Sequence, residues 1–304
     1  MQKISIIITA WKEPETIKKL FESILCELEN YKNKNYEIEI LLACPDEETK
    51  ISAEEILHKH NFENFIYVKD KQRGKPSALK LLFEKATGEI WVLTDGDTFW
   101  GEKVLENLIP KFLDENVGGV SGHPISIDEK NNMFGYWGHL LAESAHHKRK
   151  SSIQKNEFFP MSGYLMAIRK PNFTIPVEVL SDDAFISYKI LENGKKISYS
   201  ENAKVYIKYP KSLSDWYKQK ARSLGGYLQL KNFGVGKNIK KTRTFFDELK
   251  YFWFPFFYAK NLKELSWSLA LFPARLFLWA KIFWERKVLK KDFTKTWVRI
   301  ESTK

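Results

Sequence analysis

The sequence predicts an α/β fold: a mostly parallel central sheet with helices on both faces, followed by a C-terminal helical, aromatic-rich extension. Three observations predict it. Short apolar, β-rich runs alternate with segments of helical periodicity from Ile4 to Phe112. The strand-like runs are almost wholly apolar, as strands covered on both faces must be. Composition then changes after residue 212. Residues 213–304 hold 20 Lys and Arg against 7 Asp and Glu, and six of the ten tryptophans, although the net charge of the whole chain is only +11.

In order along the chain, Ile4-Ser5-Ile6-Ile7-Ile8 reads as a buried strand. Thr16–Asn30 places Ile17, Leu20, Phe21, Ile24, Leu25 and Leu28 at helical spacing. Glu37–Ala43 is a second strand, Glu47–His60 a helix and Phe65–Val68 a third strand. Ser77–Ala86 is a helix, Glu89–Thr94 a fourth strand and Val104–Phe112 a helix. Past Gly118, strands are expected at Val120–Gly122, Gly163–Ile168, Lys196–Tyr199 and Lys204–Ile207. Helices are expected at Met133–Lys148, Ala184–Leu191 and Leu213–Leu230. The segment Tyr209-Pro210-Lys211-Ser212 marks the expected boundary between a domain of residues 1–212 and a basic region of residues 213–304.

A chain of 304 residues with 43% hydrophobic content can bury a sizeable core, which excludes wholesale disorder. Its two cysteines, Cys26 and Cys44, form no disulfide framework and no metal-ligand spacing, consistent with a reducing cytosol. The start, Met1-Gln2-Lys3, runs straight into a strand without the pattern of a signal peptide.

The chemistry concentrates in a few short stretches. Asp95-Gly96-Asp97 follows the apolar run Ile90-Trp91-Val92-Leu93, so two carboxylates leave the sheet together. In parallel sheets, ligands bind beyond the carboxyl ends of strands. Two close carboxylates repel, and a hard divalent cation such as Mg²⁺ or Mn²⁺, shared with a substrate diphosphate, relieves that repulsion. Asp-Gly is also a common turn pair. Gln72-Arg73-Gly74-Lys75-Pro76 is a basic, glycine-bearing loop before a helix and suits phosphate contacts. Asp182-Asp183 precedes an apolar helix, where it can serve as a general base or as the acidic first turn behind a Ser181 cap. Gln219 and Arg222 share a helix face. His139, Glu143 and His146 have spacing that could build a metal site, but without further ligands an acceptor-cleft or surface role is expected.

Taken in order, these stretches resemble the family 2 glycosyltransferases over about residues 3–225. Ile6-Ile7-Ile8-Thr9-Ala10-Trp11-Lys12-Glu13 resembles the first-strand nucleotide loop, with Ala10 and Glu13 at donor-binding positions. Leu41-Leu42-Ala43-Cys44-Pro45-Asp46 resembles the segment that reads the base, although Cys44-Pro45 departs from the family's frequent paired aspartate. Gly74-Lys75 resembles the phosphate-side loop, and Asp95-Gly96-Asp97 the metal motif, with Asp97 the direct ligand. Phe159–Arg169, holding Ser162-Gly163, resembles the acceptor-side strand. Asp182-Asp183 stands where the family has an acidic pair, which implies Asp183 as base. Gln219-Lys220-Ala221-Arg222-Ser223 resembles the Gln-x-x-Arg-Trp motif of polymer-forming members, with Ser223 in place of tryptophan.

The resemblance implies a GT-A fold and inverting, metal-dependent transfer from a nucleotide-diphosphate sugar, UDP-sugar favoured and GDP-sugar possible. The implied acceptor is a saccharide or a lipid-linked saccharide, with a polyprenyl phosphate as the alternative. In the tail, Tyr251–Tyr258 is strongly aromatic, and Leu265–Trp284 is apolar apart from Arg275 and Lys281, with Pro273 within it. These features fit an interface helix on the anionic inner face of the cell membrane better than a spanning helix. A helical cap on the body is the other reading. A nucleic-acid-binding protein using the basic tail is the alternative of another class, but no recognised motif supports it and it leaves the aspartates unexplained, so no nucleic acid is expected.

Overall fold

A computed structural model describes residues 2–31, 36–236, 251–288 and 301–303. The remaining parts of the basic tail, including Trp297–Ile300 of its polar end, lie outside the described residues. The first half alternates strand and helix: β1 (Gln2–Thr9), α1 (Pro14–Asn30), β2 (Tyr36–Cys44), α2 (Glu47–Lys59), β3 (Phe65–Lys69), α3 (Lys75–Lys85) and β4 (Ile90–Asp95). Then come β5 (Phe99–Trp100), α4 (Val104–Leu108), β6 (Val117–Ser126), α5 (Met133–Gln154), β7 (Leu165–Arg169), α6 (Asp182–Glu192) and β8 (Lys196–Ile207). The C-terminal part supplies α7 (Leu213–Gln229), α8 (Phe254–Tyr258) and α9 (Leu262–Lys287).

The strands form one sheet in the order β3-β2-β1-β4-β7-β6-β8-β5. β3, β2, β1 and β4 are mutually parallel, and β6 is parallel to β8. β7 runs antiparallel between β4 and β6, and the short β5 is antiparallel to β8. The run Ile4–Ile8 explains the layering, because strand side chains alternate between faces. Ile4, Ile6 and Ile8 pack with Ile17, Leu20, Phe21 and Ile24 of α1 on one face. Ile7 joins Leu41, Trp91 and Leu93 on the other, under Leu79 and Leu82 of α3 and Phe185 of α6.

Three local expectations change. The helix expected over Val104–Phe112 is α-helical only to Leu108 and continues as a 3₁₀ turn, Ile109–Leu113. Pro110 has no N–H to donate to the preceding turn. The two strands expected between Lys196 and Ile207 are one strand, β8, whose register against β6 shifts between Ser121 (opposite Tyr199) and His123 (opposite Lys204). β5 was too short to carry a periodic signal.

On the C-terminal side, α5, α7 and α9 share a core of Tyr136, Trp137, Leu140, Trp216, Leu224, Leu271, Leu278 and Ile282. Tyr136 and Ser268 hydroxyls pair at 2.7 Å, and Trp137 Nε1 donates to Trp267 O at 2.7 Å. α9 continues through Pro273 and is apolar on two sides. Its inner face enters the shared core. Its outer face leaves Leu262, Leu269, Leu276, Phe277, Phe283 and Trp284 exposed. Among the described residues, no helix is long and apolar enough to cross a membrane.

Candidate active site

The carboxyl ends of β1 and β4 and the start of β7 meet at a cavity of about 720 Å³. Its walls include Ala10, Glu13, Gly74, Lys75, Asp95, Asp97, Asp182, Asp183, Gln219 and Arg222. Residues from five separate segments of sequence therefore converge. One residue expected with them does not: Asp46 is not among the lining residues. It is the N-cap of α2, its Oδ1 accepting from Thr49 N at 3.0 Å and its Oδ2 from Lys12 N at 2.8 Å. The Thr49 bond satisfies an orphan amide of the helix start, and the two bonds together hold the carboxylate there.

The sheet delivers the Asp-Gly-Asp motif. Thr9 pairs with Asp95 across β1 and β4, and Gly96 N donates to Thr9 O at 2.9 Å. A Cβ on Gly96 would lie 2.6 Å from Ala10 Cβ, so only glycine lets this turn pass so close to the first-strand loop. Thr98 Oγ1 closes the turn on Asp95 O at 2.8 Å. Opposite stands Lys75 in the first turn of α3. Gly74 precedes it at φ 93°, a left-handed conformation that glycine adopts without strain. Lys75 Nζ lies 2.7 Å from Asp95 Oδ1 and 3.1 Å from Asp182 Oδ2.

Burial pushes the Asp95 carboxyl up, to about 6, with Asp97 adding to the rise and Lys75 opposing it. For Lys75, burial favours the neutral amine, but Asp182 and Asp95 outweigh it and hold the ammonium above its usual range. Asp183 Oδ1 accepts from Ser181 Oγ at 3.1 Å and from Ala184 N at 2.8 Å. These bonds orient the carboxylate and leave Oδ2 without a protein hydrogen bond among the described residues. Gly163 lies alongside: a Cβ there would sit 3.5 Å from both Asp183 Cβ and Lys75 Nζ. The Ser162-Gly163 segment thus forms the wall between them.

Several wall residues were not anticipated. Asp70 stands just past the end of β3. Tyr164 receives a hydrogen bond on its hydroxyl from Gln219 Nε2 at 3.4 Å, tying α7 to the sheet, and burial raises its phenol. Arg275, which reads as an interruption in an apolar run, lines the cavity with Phe252, Leu271, Phe272 and Trp279 from the tail. The position of Asp70 beyond a strand end was a usable signal; the Arg275 contact depends on how α9 docks. The histidines do not converge on a metal: His139 Nε2 pairs with Asp128 O at 2.6 Å, His146 Nδ1 with the Tyr199 hydroxyl at 2.7 Å, and His147 rather than His146 or His139 sits by Glu143, at 3.3 Å.

Comparison with known proteins agrees with this arrangement. Poly-β-1,6-N-acetyl-D-glucosamine synthase of Staphylococcus aureus (strain COL) is 23% identical over 266 residues, covering 84% of this chain; the chain spans 60% of that relative's length. Dolichyl N-acetyl-α-D-glucosaminyl phosphate 3-β-D-2,3-diacetamido-2,3-dideoxy-β-D-glucuronosyltransferase of Methanococcus voltae is 24% identical over 264 residues, covering 85% of this chain and 80% of that protein. Among solved structures, the mannosyltransferase PcManGT from Pyrobaculum calidifontis, in complex with GDP-Man and Mn²⁺, superposes with a TM-score of 0.55 at 19% identity, over 97% of this chain and 82% of that one. That likeness shows the shared GT-A fold. Residues 2–226 match the profile described as "Glycosyltransferase like family 2". With three quarters of its length matched and its acidic motifs gathered around one cavity, the chain belongs to glycosyltransferase family 2.

Proposed function

We propose that the protein transfers a sugar, with inversion, from a nucleoside-diphosphate donor to a hydroxyl of a saccharide or lipid-linked saccharide at the inner face of the cell membrane. The observation that carries this reading is that Asp95, Asp97 and Asp183, with Asp182 and Lys75, wall the same cavity.

The donor set suits a divalent cation. Asp95 and Asp97 are hard oxygen ligands one residue apart on a turn fixed by Gly96, and that chemistry matches Mn²⁺ or Mg²⁺. When bound, such an ion offsets the charge of the departing diphosphate. The chain's own residues do the rest. Asp183, oriented through Oδ1, takes the proton of the acceptor hydroxyl on Oδ2 as that oxygen bonds the anomeric carbon. The bond from that carbon to the diphosphate oxygen breaks, and its electrons leave with the diphosphate. Arg222 and Lys75, both on the wall, add positive charge where the leaving group gains negative charge. Gln219, held on the Tyr164 hydroxyl, positions the donor side of α7.

The membrane location is supported by the outer face of α9. Leu262, Leu269, Leu276 and Phe283 recur every seventh residue and stay exposed, beside Phe277 and Trp284. Trp253 and Phe257 are exposed as well, and Lys260 and Lys263 stand at the head of α9. An exposed apolar helix face with basic residues at its head suits the headgroup region of an anionic bilayer.

The test is donor turnover. UDP- and GDP-sugars are incubated with the protein, with and without Mn²⁺, and release of UDP or GDP is measured. Metal-dependent release that disappears in Asp183→Asn supports the reading. No nucleotide release with any donor, together with no Mn²⁺-dependent nucleotide binding, overturns it.

A further inference from the structure

We propose that Asp70, at the end of β3, reads the donor base by accepting a hydrogen bond from a ring N–H, which selects uracil or guanine nucleotides. The inference deepens the proposed function and rests on it.

The first ground is position. The parallel strands run β3-β2-β1-β4, so Asp70 and Asp95 stand at strand ends three strand spacings apart. At the usual separation that is about 14 Å, the reach of a nucleoside diphosphate held by its phosphates at one end. The cavity bridges that interval, since its lining runs from Asp95 and Asp97 past Ala10 and Trp11 to Asp70. Asp70 N donates to Cys44 O at 3.3 Å, which fixes the residue against the segment expected to read the base.

The second ground is an unmet acceptor. Asp70 Oδ1 is buried and has no hydrogen-bond partner among the described residues. A buried carboxylate oxygen without a donor is costly, and a ligand N–H at that point removes the cost. Burial raises the Asp70 carboxyl, and hydrogen bonding from the Lys71 and Gln72 amides opposes the rise. Asp46, the alternative from sequence order, has both oxygens committed to Lys12 and Thr49.

The third ground is base chemistry. Uracil N3 and guanine N1 carry protons and can donate to a carboxylate. Cytosine N3 and adenine N1 are bare acceptors at the corresponding edge and would face Asp70 lone pair to lone pair. Selection therefore comes from an unpaired polar group as much as from a made bond.

Calorimetry with Mn²⁺ present tests this, using UDP, GDP, CDP and ADP against the unsubstituted protein, Asp70→Ala, Asp70→Asn and Asp46→Ala. Asp70→Ala should weaken whichever of UDP or GDP binds best by about 10–100-fold. Binding of inorganic pyrophosphate with Mn²⁺ should stay unchanged, because the phosphate end is intact. Asp70→Asn, whose amide can donate to a bare ring nitrogen, should narrow the gap between UDP and CDP. Asp46→Ala should lower the melting temperature without altering base preference. If Asp70→Ala leaves UDP and GDP affinities within about twofold, the inference fails while the proposed function stands. If the unsubstituted protein binds no nucleoside diphosphate, the proposed function fails and the inference with it.

Discussion

Lys75 and Asp95 form an ion pair of 2.7 Å across the mouth of the Asp-Gly-Asp turn, and the same ammonium reaches Asp182 at 3.1 Å. One side chain from a basic loop thus joins two acidic motifs that are 87 residues apart in the chain. It neutralises part of the charge that a divalent cation would otherwise have to meet alone. Removing it leaves carboxylates facing one another in a partly buried wall, which is costly.

Lys75→Ala should therefore act in two ways. Transfer should fall about 10²–10³-fold, the usual effect of losing one electrostatic partner. Melting of the metal-free protein should drop, and Mn²⁺ should recover more of that loss than it adds to the unsubstituted protein. Melting curves with and without Mn²⁺ check the second effect independently of turnover.

Asp97→Ala and Asp183→Asn should each suppress transfer while the protein stays folded, since neither carboxylate belongs to the core. For Asp183→Asn the expected loss is at least about 10²-fold. Circular dichroism and turnover on the same samples check both statements. An active Asp183→Asn enzyme removes Asp183 from the base role.

Asp46→Ala should be destabilising by about 0.5–2 kcal/mol through the lost α2 cap, a cost chemical denaturation can measure. Leu278, fully buried where α9 meets α5 and α7, should be costlier: Leu278→Ala is expected to lose about 2–5 kcal/mol if the helices unfold together. A separate early melting step would instead show α9 detaching first.

His60 gives a pH dependence with a defined sign. Its Nδ1 lies 2.7 Å from Glu29 and its Nε2 3.2 Å from Glu22. The Glu29 hydrogen bond, more than Glu22, raises its pKa, against some desolvation. A raised folded value means that the stabilisation is present in full below the ordinary imidazole pKa and is lost as pH rises past the elevated one. The melting-temperature gap between the unsubstituted protein and His60→Gln should be widest near about pH 5 and close by about pH 9.

Phe283→Glu with Trp284→Glu places charge on exposed positions of α9. Flotation with vesicles containing anionic phospholipid should lose the doubly substituted protein and retain the unsubstituted one, while donor turnover in detergent is unchanged. If the unsubstituted protein does not float but elutes as a dimer that the substitutions dissociate, the face is a subunit contact.

Much of the catalytic body was legible because its strands are uniformly apolar and its helices periodic. The ends of β1 and β4, with Thr9-Ala10 and Asp95-Gly96-Asp97, could be placed from pattern alone. Strand direction could not: β7 has the same kind of apolar run as β4, and hydropathy does not say which way a strand points. The motif order places Asp46 with the donor-binding residues, and the structure has it capping α2 outside the cavity lining; an aspartate three residues before Thr49 at a helix start is also a capping signal. Arg275 was unreadable because its surroundings depend on tertiary docking, and a charge within an apolar helix reads as a defect until the cavity beneath it is known.

Because β7 enters the sheet against the grain of β4, the loop that precedes it, not the one that follows, opens onto the cavity. Residues 155–157 of that loop are exposed and can change in length or character, while Phe159 and Met161 stay buried in the core and keep the loop seated. Evolution or engineering could reshape that wall of the cavity through one short stretch and leave the carboxylates on the opposite strand ends as they are.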